Sequence, residues 1–197
     1  MLQIMNTNEI IKLPAPLKEG GMPLLDALAK RRSGRKYSER EFDLQTLSNL
    51  LWAAFGINSD RGGRTAPSSH NSQEIDLYLF LKSGVYRYNP VENILEMLFA
   101  EDLRAMTAKQ PFAQSAPLNI AFVGDKSKLQ GKTPQEAVET IFVDTGFISQ
   151  NIYLFCTSFN LRNVVRLMFD KEALTLKLGL EETQEITLIH SVGFPVE

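Results

Sequence analysis

The sequence predicts one globular domain that mixes helices with strands, of the α/β or α+β class. Apolar residues make up 44% and charged residues 22% of its 197 residues, which is typical of a chain that folds around one core. Helical and strand-like apolar patterns both occur, and no repeat or linker interrupts them. A chain of this length buries enough surface to fold without disulfides or a structural metal. Its one cysteine, Cys156, lies in an apolar run and is interpreted as a core residue.

The N-terminal part is predicted to contain an extended arm and two helices. Residues 1–21, interrupted by prolines and a glycine pair, form the arm, and residues 22–197 form the single domain. The apolar spacing from Leu24 to about Arg32 predicts the first helix. Asp43 is a suitable N-cap for the second helix, which carries an apolar stripe and ends at Gly56.

The middle of the chain is predicted to form strands. Residues 75–81 alternate between two faces, and residues 85–88 follow after a Ser-Gly turn, so the two runs indicate a hairpin. The short apolar run at 118–123, flanked by Pro117 and Gly124, predicts a central strand.

The C-terminal third is predicted to begin with the longest helix, from Pro134 to about Phe159. Its residues are apolar on most sides, so it is expected to lie buried in the middle of the molecule or of its dimer. A final helix near 171–178 ends at Gly179, and residues 185–192 alternate weakly as a last strand.

Composition and motif content argue against several function classes. A formal net charge of −2 gives no electrostatic footprint for nucleic acid. The N-terminus lacks a signal-peptide pattern, and no stretch approaches the ~20 apolar residues of a membrane-spanning helix, so a cytoplasmic protein is expected. His70 and His190 have no partner at a metal-ligand spacing. The glycine motifs of dinucleotide and P-loop sites and the nucleophile elbow of hydrolases do not occur.

A basic cluster after the first predicted helix is the first candidate site. Arg31, Arg32, Ser33 and Arg35 fall within five residues, and together they would bind a phosphate through charge-assisted hydrogen bonds. The alternative is a solvated helix end, where cations complement the C-terminal dipole. The pattern alone leaves both interpretations open.

A polar loop before the first hairpin strand is the second candidate. Residues 64–73 are rich in hydrogen-bonding side chains that would suit the polar edge of a heteroaromatic ring, although such runs also form ordinary turns. Within it, His70 is interpreted as a solvated or capping histidine rather than a catalytic one.

Taken in order, several segments from about Met22 to Pro195 resemble the nitroreductase superfamily. Residues 31–35 resemble its R-R-S-x-R phosphate motif, and residues 67–73 resemble its P-S-S-x-N-x-Q loop. Residues 144–195 follow its closing pattern, which includes Gln150–Leu154 and Val192–Pro195. Residues 51–58 and 84–88 are similar to the branch that includes azoline-oxidising, thiazole- and oxazole-forming dehydrogenases.

The resemblance implies an α+β fold with a central, mostly antiparallel sheet flanked by helices. It also implies an intertwined homodimer with FMN at the subunit interface. The implied cofactor-binding residues are Arg31, Arg32, Ser33 and Arg35 at the phosphate; Pro67, Ser68, Ser69 and Asn71 along the ring, from the other subunit; Gln110 at its polar edge; and Val165 and Arg166 over one face. No protein residue is implied to be indispensable for catalysis, because the flavin does the chemistry.

By the same resemblance, NAD(P)H would reduce FMN by hydride transfer, and the flavin would then reduce a small organic acceptor such as a nitroaromatic, a quinone or an electron-poor alkene. The alternatives are an FMN-dependent dehydrogenase that oxidises its substrate, a non-catalytic flavin-binding protein, and a merely structural dimer with surface arginines. Two departures from the family pattern matter. The chain stops at Val196–Glu197 without a further basic residue, so the phosphate would depend more on the arginine cluster. Glu74 replaces a proline, which argues against a nitroaromatic-type pocket more than against FMN binding.

Overall fold

The structure, a computed structural model, describes residues 9–196 and contains one seven-stranded sheet. The strands are β1 (Ile10–Lys12), β2 (Ile75–Leu81), β3 (Gly84–Asn89), β4 (Ile94–Phe99), β5 (Leu118–Asp125), β6 (Arg162–Arg166) and β7 (Gln184–Gly193). Their order across the sheet is β1-β4-β3-β2-β5-β7-β6, and the paired strands are antiparallel. The α+β class and the mostly antiparallel sheet are therefore confirmed.

Within residues 9–196, five α-helices accompany the sheet. They are α1 (Leu24–Lys30), α2 (Leu44–Phe55), α3 (Pro111–Gln114), α4 (Pro134–Ser158) and α5 (Lys171–Leu178). Local chemistry explains their ends. The Asp43 carboxylate accepts a hydrogen bond from the Thr46 N–H at the start of α2, as predicted. Thr133 and Glu136 form a capping box at α4, and Gly179 ends α5 in the left-handed conformation.

The sheet has a hydrophobic cluster on each face. Side chains of β2 alternate between them: Leu77 and Leu79 join the cluster that includes α2 and α4, whereas Tyr78 and Phe80 join the one that includes α5. The predicted central strand, β5, lies between β2 and β7 and is buried on both faces. Cys156 is fully buried in the larger cluster, as expected of a core residue.

Three strands have no counterpart among the sequence predictions. β1 lies within the segment predicted as an arm and pairs with β4, with Ile11 opposite Leu95, and Leu13 after it is buried. β4 forms a hairpin with the preceding strand β3 and also pairs with the distant β1, whereas β6 pairs only with β7, which follows after α5. Residues 1–8 of the arm lie outside the described residues.

Within a single chain α4 is buried on one side, so its expected burial on most sides would require the dimer. Ile141, Ile148 and Ile152 are fully buried, but Val143 and Phe147 are 58% and 46% exposed. A single chain therefore leaves an apolar strip of its longest helix uncovered. Within residues 9–196, no helix combines the length and the apolar character that crossing a membrane requires.

Candidate functional site

The basic cluster forms a loop between α1 and the sheet, here called the arginine loop (residues 31–37). Helix α1 ends where the Arg31 N–H donates to the Ala27 carbonyl. The Arg32 guanidinium turns back and donates to the carbonyls of Ala29 and Arg31, at 3.0 and 2.7 Å. Arg32 thus satisfies carbonyls at the end of α1, which is the helix-end role that the sequence left open.

The arginine loop is attached to the outer edge of β6, the last strand of the sheet. The Gly34 N–H donates to the Asn163 carbonyl at 2.8 Å. A Cβ atom at Gly34 would lie only 2.8 Å from the Arg162 side chain, so this close approach requires glycine. The Tyr37 hydroxyl donates to the Gly34 carbonyl at 3.0 Å. Burial raises the pKa of Tyr37, which keeps that hydroxyl protonated.

Tyr153 of α4 joins the arginine loop to β6. Its hydroxyl lies 3.0 Å from Ser33 Oγ and accepts a hydrogen bond from the Val165 N–H at 3.2 Å. The Arg31 guanidinium lies 5.1 Å from the centre of its ring, within the range of a cation–π contact. Arg31 and Ser33, predicted from one motif, and Val165, predicted from another segment, therefore all contact Tyr153. Sequence reasoning gave Tyr153 no role, although a tyrosine in an apolar helix signals a need for a hydroxyl partner.

The arginine loop has an uncompensated positive charge. Among residues 9–196, no carboxylate lies within 4.0 Å of Arg31, Arg32 or Arg35. Arg35 is exposed, and Arg31 is half-buried against Tyr153. Such a cluster suits an anion that carries several acceptor oxygens.

The polar loop turns sharply at residues 69–71. His70, Asn71 and Gln73 have left-handed φ angles of 51°, 55° and 49°. This conformation costs free energy for non-glycine residues and is often found at functional sites. The Ser68 hydroxyl accepts from the Gln73 N–H at 3.0 Å and holds the turn. Pro67, Asn71 and His70 are exposed, which fits the prediction of a solvated His70.

Two buried carboxyl groups lie beneath this loop. Asp144 of α4 accepts from the Ser69 N–H at 2.8 Å, and Glu74 accepts from the Ser72 hydroxyl at 2.6 Å. Glu74 is fully buried, and its Oε1 has no hydrogen-bond partner among the described residues. Burial raises the pKa of Glu74, and the neighbouring Asp144 raises it further. Sequence reasoning missed this pair, although an aspartate inside a buried helix signals a paired group.

The arginine loop and the polar loop contact different parts of α4 in the single chain. They contact α4 at Tyr153 and at Asp144, nine residues apart. Nine residues correspond to about two and a half helical turns and about 13 Å, so the two contacts leave opposite sides of the helix. The residues predicted at the phosphate and the residues predicted along the ring from the other subunit are therefore separate groups in the single chain.

Gln110 is held at the other end of β6 from Asn163. The Lys109 N–H donates to the Met168 carbonyl at 3.1 Å, and Gln110 Nε2 lies 3.5 Å from Met168 Sδ. Gln110 Oε1 is buried and has no hydrogen-bond partner among residues 9–196. A buried amide oxygen without a partner costs free energy unless a donor reaches it. Gln110 thus offers an unused acceptor.

Arg166 differs from its neighbour Val165 in that its side chain turns inward. Its guanidinium donates to the Thr107 carbonyl, Asn119 Oδ1 and Ser191 Oγ, at 2.6, 2.7 and 2.9 Å. Burial lowers the pKa of Arg166 to about 10, so it stays charged at neutral pH. The protein itself engages this guanidinium, which leaves only the backbone of Arg166 for the predicted contact over the ring.

Two of the cavities among the described residues lie away from both loops' predicted cofactor contacts. One, of about 280 Å³, is lined by residues that include Arg64, Asp76 and Lys128, and one, of about 340 Å³, lies between α1, α2 and α4. Neither is lined by a residue predicted to bind FMN. Among residues 9–196, no group of three or more His, Cys, Asp or Glu side chains is arranged to hold a metal ion.

Comparison with known proteins assigns this chain to a family. The sequence matches the Nitroreductase family model over residues 28–194. A Methanocaldococcus jannaschii protein with a provisional nitroreductase name is 29% identical over 160 residues, which cover 76% of this chain and 81% of that relative.

Solved structures show the same fold. A provisionally named nitroreductase from Ralstonia eutropha JMP134 is 38% identical, with a TM-score of 0.91 and coverage of 97% of this chain and 92% of the other. The Escherichia coli microcin synthetase McbBCD complex, solved with truncated pro-MccB17 bound, is 16% identical, with a TM-score of 0.74 and coverage of 97% and 79%. At that identity the second likeness concerns the fold alone. The family match over most of the sequence and the 38% identity show that this chain belongs to the Nitroreductase family, whose members are oxidoreductases.

Proposed function

We propose that the chain is an FMN-dependent oxidoreductase that works as a homodimer and takes its electrons from NAD(P)H. The observation that carries this proposal is the arginine loop, in which Arg31 and Arg35 lack a carboxylate partner among the described residues and Ser33 lies beside them. Bound FMN would supply the redox chemistry, by accepting a hydride and passing two electrons to a small organic acceptor. The protein would bind, orient and tune it.

The arginine loop would hold the phosphate of FMN. Guanidinium groups bind phosphate through paired, charge-assisted hydrogen bonds, and Arg31 and Arg35 have donors to spare. Arg32 contributes charge while its guanidinium is fixed on the end of α1. Reduction adds negative charge at the polar edge of the ring, so Arg35, if it reaches that edge, would stabilise the reduced form.

The ring end of the cofactor would lie toward Gln110 and Val165. The unpartnered Oε1 of Gln110 is the acceptor that a ring N–H requires. Val165 lies on the same strand as Asn163, which holds the arginine loop, so one strand would support both ends of the cofactor. Arg166 would act indirectly, by fixing the end of β6 from inside.

A second copy of the chain would complete the site with Pro67, Ser68, Ser69 and Asn71. One chain presents this loop and the arginine loop on opposite sides of α4, so a single flavin would need them from two chains. Exposed apolar residues on α1 and α4 offer a surface for the partner: Leu24, Leu25, Leu28, Val143 and Phe147. Burying such a surface favours association.

The cofactor and electron donor are tested by an absorption spectrum of the purified protein. The visible band of oxidised flavin is expected, and anaerobic addition of NADH or NADPH should bleach it, with recovery on addition of a quinone or nitroaromatic acceptor. A flavin that NAD(P)H leaves oxidised would favour a substrate-oxidising dehydrogenase or a binding protein. A protein that neither contains nor binds FMN would overturn the proposal.

The shared site is tested by complementation between two defective variants. One variant carries Arg31→Ala and Arg35→Ala, and the other carries Ser69→Pro and Asn71→Ala, so each lacks one half of every site. After refolding together, a heterodimer combines the intact arginine loop of one chain with the intact polar loop of the other. One native site per heterodimer should recover flavin binding and reductase activity. No recovery, with heterodimers shown to be present, would contradict a site built from two chains.

A further inference from the structure

The hydroxyl of Tyr153 has a fixed hydrogen-bond direction. The Val165 backbone N–H, 3.2 Å away, is only a donor, so the Tyr153 oxygen must accept from it. Accepting a hydrogen bond polarises the O–H group and makes it a better donor. The nearest group to receive that proton is Ser33 Oγ at 3.0 Å. Tyr153 can donate to Ser33 while it accepts from Val165, and in that arrangement the hydrogen bonds run from Val165 through Tyr153 to Ser33.

In this arrangement the hydrogen of the Ser33 hydroxyl is free to point outward. Its oxygen accepts from Tyr153, and its side chain is exposed at the surface of the arginine loop. Arg31, stacked on the same tyrosine ring at 5.1 Å, places a positive charge beside it. A hydroxyl whose own hydrogen can point toward a ligand, next to a cation, suits an anion whose oxygens accept hydrogen bonds.

The residues that hold Ser33 in place are themselves packed and hydrogen-bonded. Tyr153 is 9% exposed, and its ring packs against the ring of His190, with centroids 4.8 Å apart. His190 contacts Asn163 Oδ1 at 2.9 Å, and the backbone carbonyl of the same asparagine holds Gly34. Ser33 and Gly34 are thus fixed from Asn163 and Val165, two residues apart on β6.

From this geometry we infer that Tyr153 is a positioning residue that sets Ser33 as a dedicated phosphate donor, and so makes the site select FMN over riboflavin. The inference rests on the proposed FMN function and adds a specificity mechanism to it. When Tyr153 donates to the Ser33 oxygen, it fixes the orientation of the serine and leaves the serine hydrogen for a phosphate oxygen. Loss of the Tyr153 hydroxyl would free Ser33 to rotate and would weaken phosphate binding without touching the ring.

A double-mutant cycle tests this inference. Tyr153→Phe, Ser33→Ala and the double variant are titrated with FMN and with riboflavin, which lacks the phosphate. Each single variant should lose about 10- to 150-fold in FMN affinity, the range for one hydrogen bond to a charged group, while riboflavin affinity stays constant. The double variant should be no weaker than Ser33→Ala, because the two hydroxyls act as one unit.

A matched control is Tyr86→Phe, which removes a buried tyrosine hydroxyl that donates to Ser83 Oγ at 3.1 Å, far from the arginine loop. This variant should bind both flavins as the wild type does. Additive losses in the cycle, or an equal loss for FMN and riboflavin, would overturn the inference and reduce Tyr153 to a structural residue. A wild-type protein with no preference for FMN over riboflavin would instead overturn the proposed phosphate site itself, so the two failures are distinguishable.

Discussion

His190 Nε2 lies 2.9 Å from Asn163 Oδ1, and both side chains are buried beneath the arginine loop. Because an amide oxygen only accepts, the imidazole carries its proton on Nε2. Its Nδ1 lies 3.5 Å from the hydroxyl of Ser149. Burial, together with the charge of Arg166, lowers the pKa of His190 to about 3. Between about pH 3 and pH 6.5, His190 is therefore neutral in the folded protein and protonated in the unfolded chain.

The pH dependence of stability should reveal this histidine. Between about pH 6.5 and pH 3 the unfolded state takes up a proton on His190 that the folded state refuses, so stability present above pH 6.5 is lost as pH falls. One such proton contributes about 1.4 kcal/mol per pH unit. His190→Gln keeps a donor toward Asn163 and does not titrate. Its unfolding free energy, measured by urea denaturation from pH 7 to 4, should fall less steeply than that of the wild type; parallel slopes would contradict the buried neutral histidine.

Arg166 should be a large contributor to stability. Arg166→Met removes a guanidinium that satisfies Thr107, Asn119 and Ser191, and it leaves several buried acceptors without donors. We expect a loss of about 3 kcal/mol in the free energy of unfolding. The control is Arg87→Met, which breaks a surface pair with Glu96 at 2.7 Å and should cost about 0–1 kcal/mol. Similar losses for the two variants would show that the buried network is replaceable.

Glu74→Gln should stabilise the protein increasingly as pH rises. Burial raises the pKa of Glu74 above 4.5 in the folded protein. The stability that this protonated carboxyl contributes is therefore fully present below pH 4.5. It is lost as pH rises through the raised pKa, because ionising the buried group is costly. A glutamine amide stays neutral and can still accept from Ser72 and donate toward Asp144. The melting temperature of Glu74→Gln should exceed that of the wild type by more at pH 8 than at pH 5. The exposed variant Glu92→Gln should show no such divergence, and neither should Glu74→Gln if the buried carboxyl is ionised without cost.

The double variant Arg31→Ala/Arg35→Ala should lose at least ~2–3 kcal/mol of FMN binding free energy, because it removes the charge-assisted contacts to phosphate. Fluorescence titration measures the loss. Arg61→Ala, an exposed arginine of the polar segment before β2, should bind FMN normally. Unchanged affinity in the double variant would remove the arginine loop from the proposed site.

Phe147→Asp should separate the proposed dimer. Phe147 is 46% exposed on the apolar strip of α4, and an aspartate there would place an unpaired charge in the interface. Light scattering after size-exclusion chromatography should report a monomer that has lost flavin. Leu176→Asp changes a leucine that is 83% exposed on α5 and should leave the oligomeric state unchanged. A Phe147→Asp protein that stays dimeric would place the interface elsewhere.

The sequence predicts those parts of the fold that depend on local chemistry. The Asp43 cap, the Gly179 stop and the β2–β3 hairpin follow from residues that are neighbours in the chain. β6 could not be predicted in this way. It carries Arg162, Asn163 and Arg166, which is typical of a loop, and its polar groups are satisfied only by distant partners such as His190 and Asn119.

The candidate site likewise contains residues that the sequence predicts and residues that it does not. Its motif residues, such as Arg31 and Ser33, are visible in the sequence because phosphate binding needs particular residue types close together. The residues that hold them, Tyr153 and Gly34, act through the tertiary contacts of α4 and β6. The inward turn of Arg166 likewise depends on a network that joins Thr107, Asn119 and Ser191 across the sequence. Such contacts cannot be predicted from the spacing of residues along the chain.

The attachment of the arginine loop to β6 also bears on solubility. β6 pairs with a strand on one side only, and an open strand edge is a template on which other chains add strands and aggregate. Here Gly34 occupies the Asn163 carbonyl and Tyr153 occupies the Val165 N–H, so that edge is closed to a foreign strand. Substitutions that loosen this loop, such as Gly34→Val, would therefore expose the edge of β6. The exposed edge would promote aggregation, whether or not a cofactor is bound.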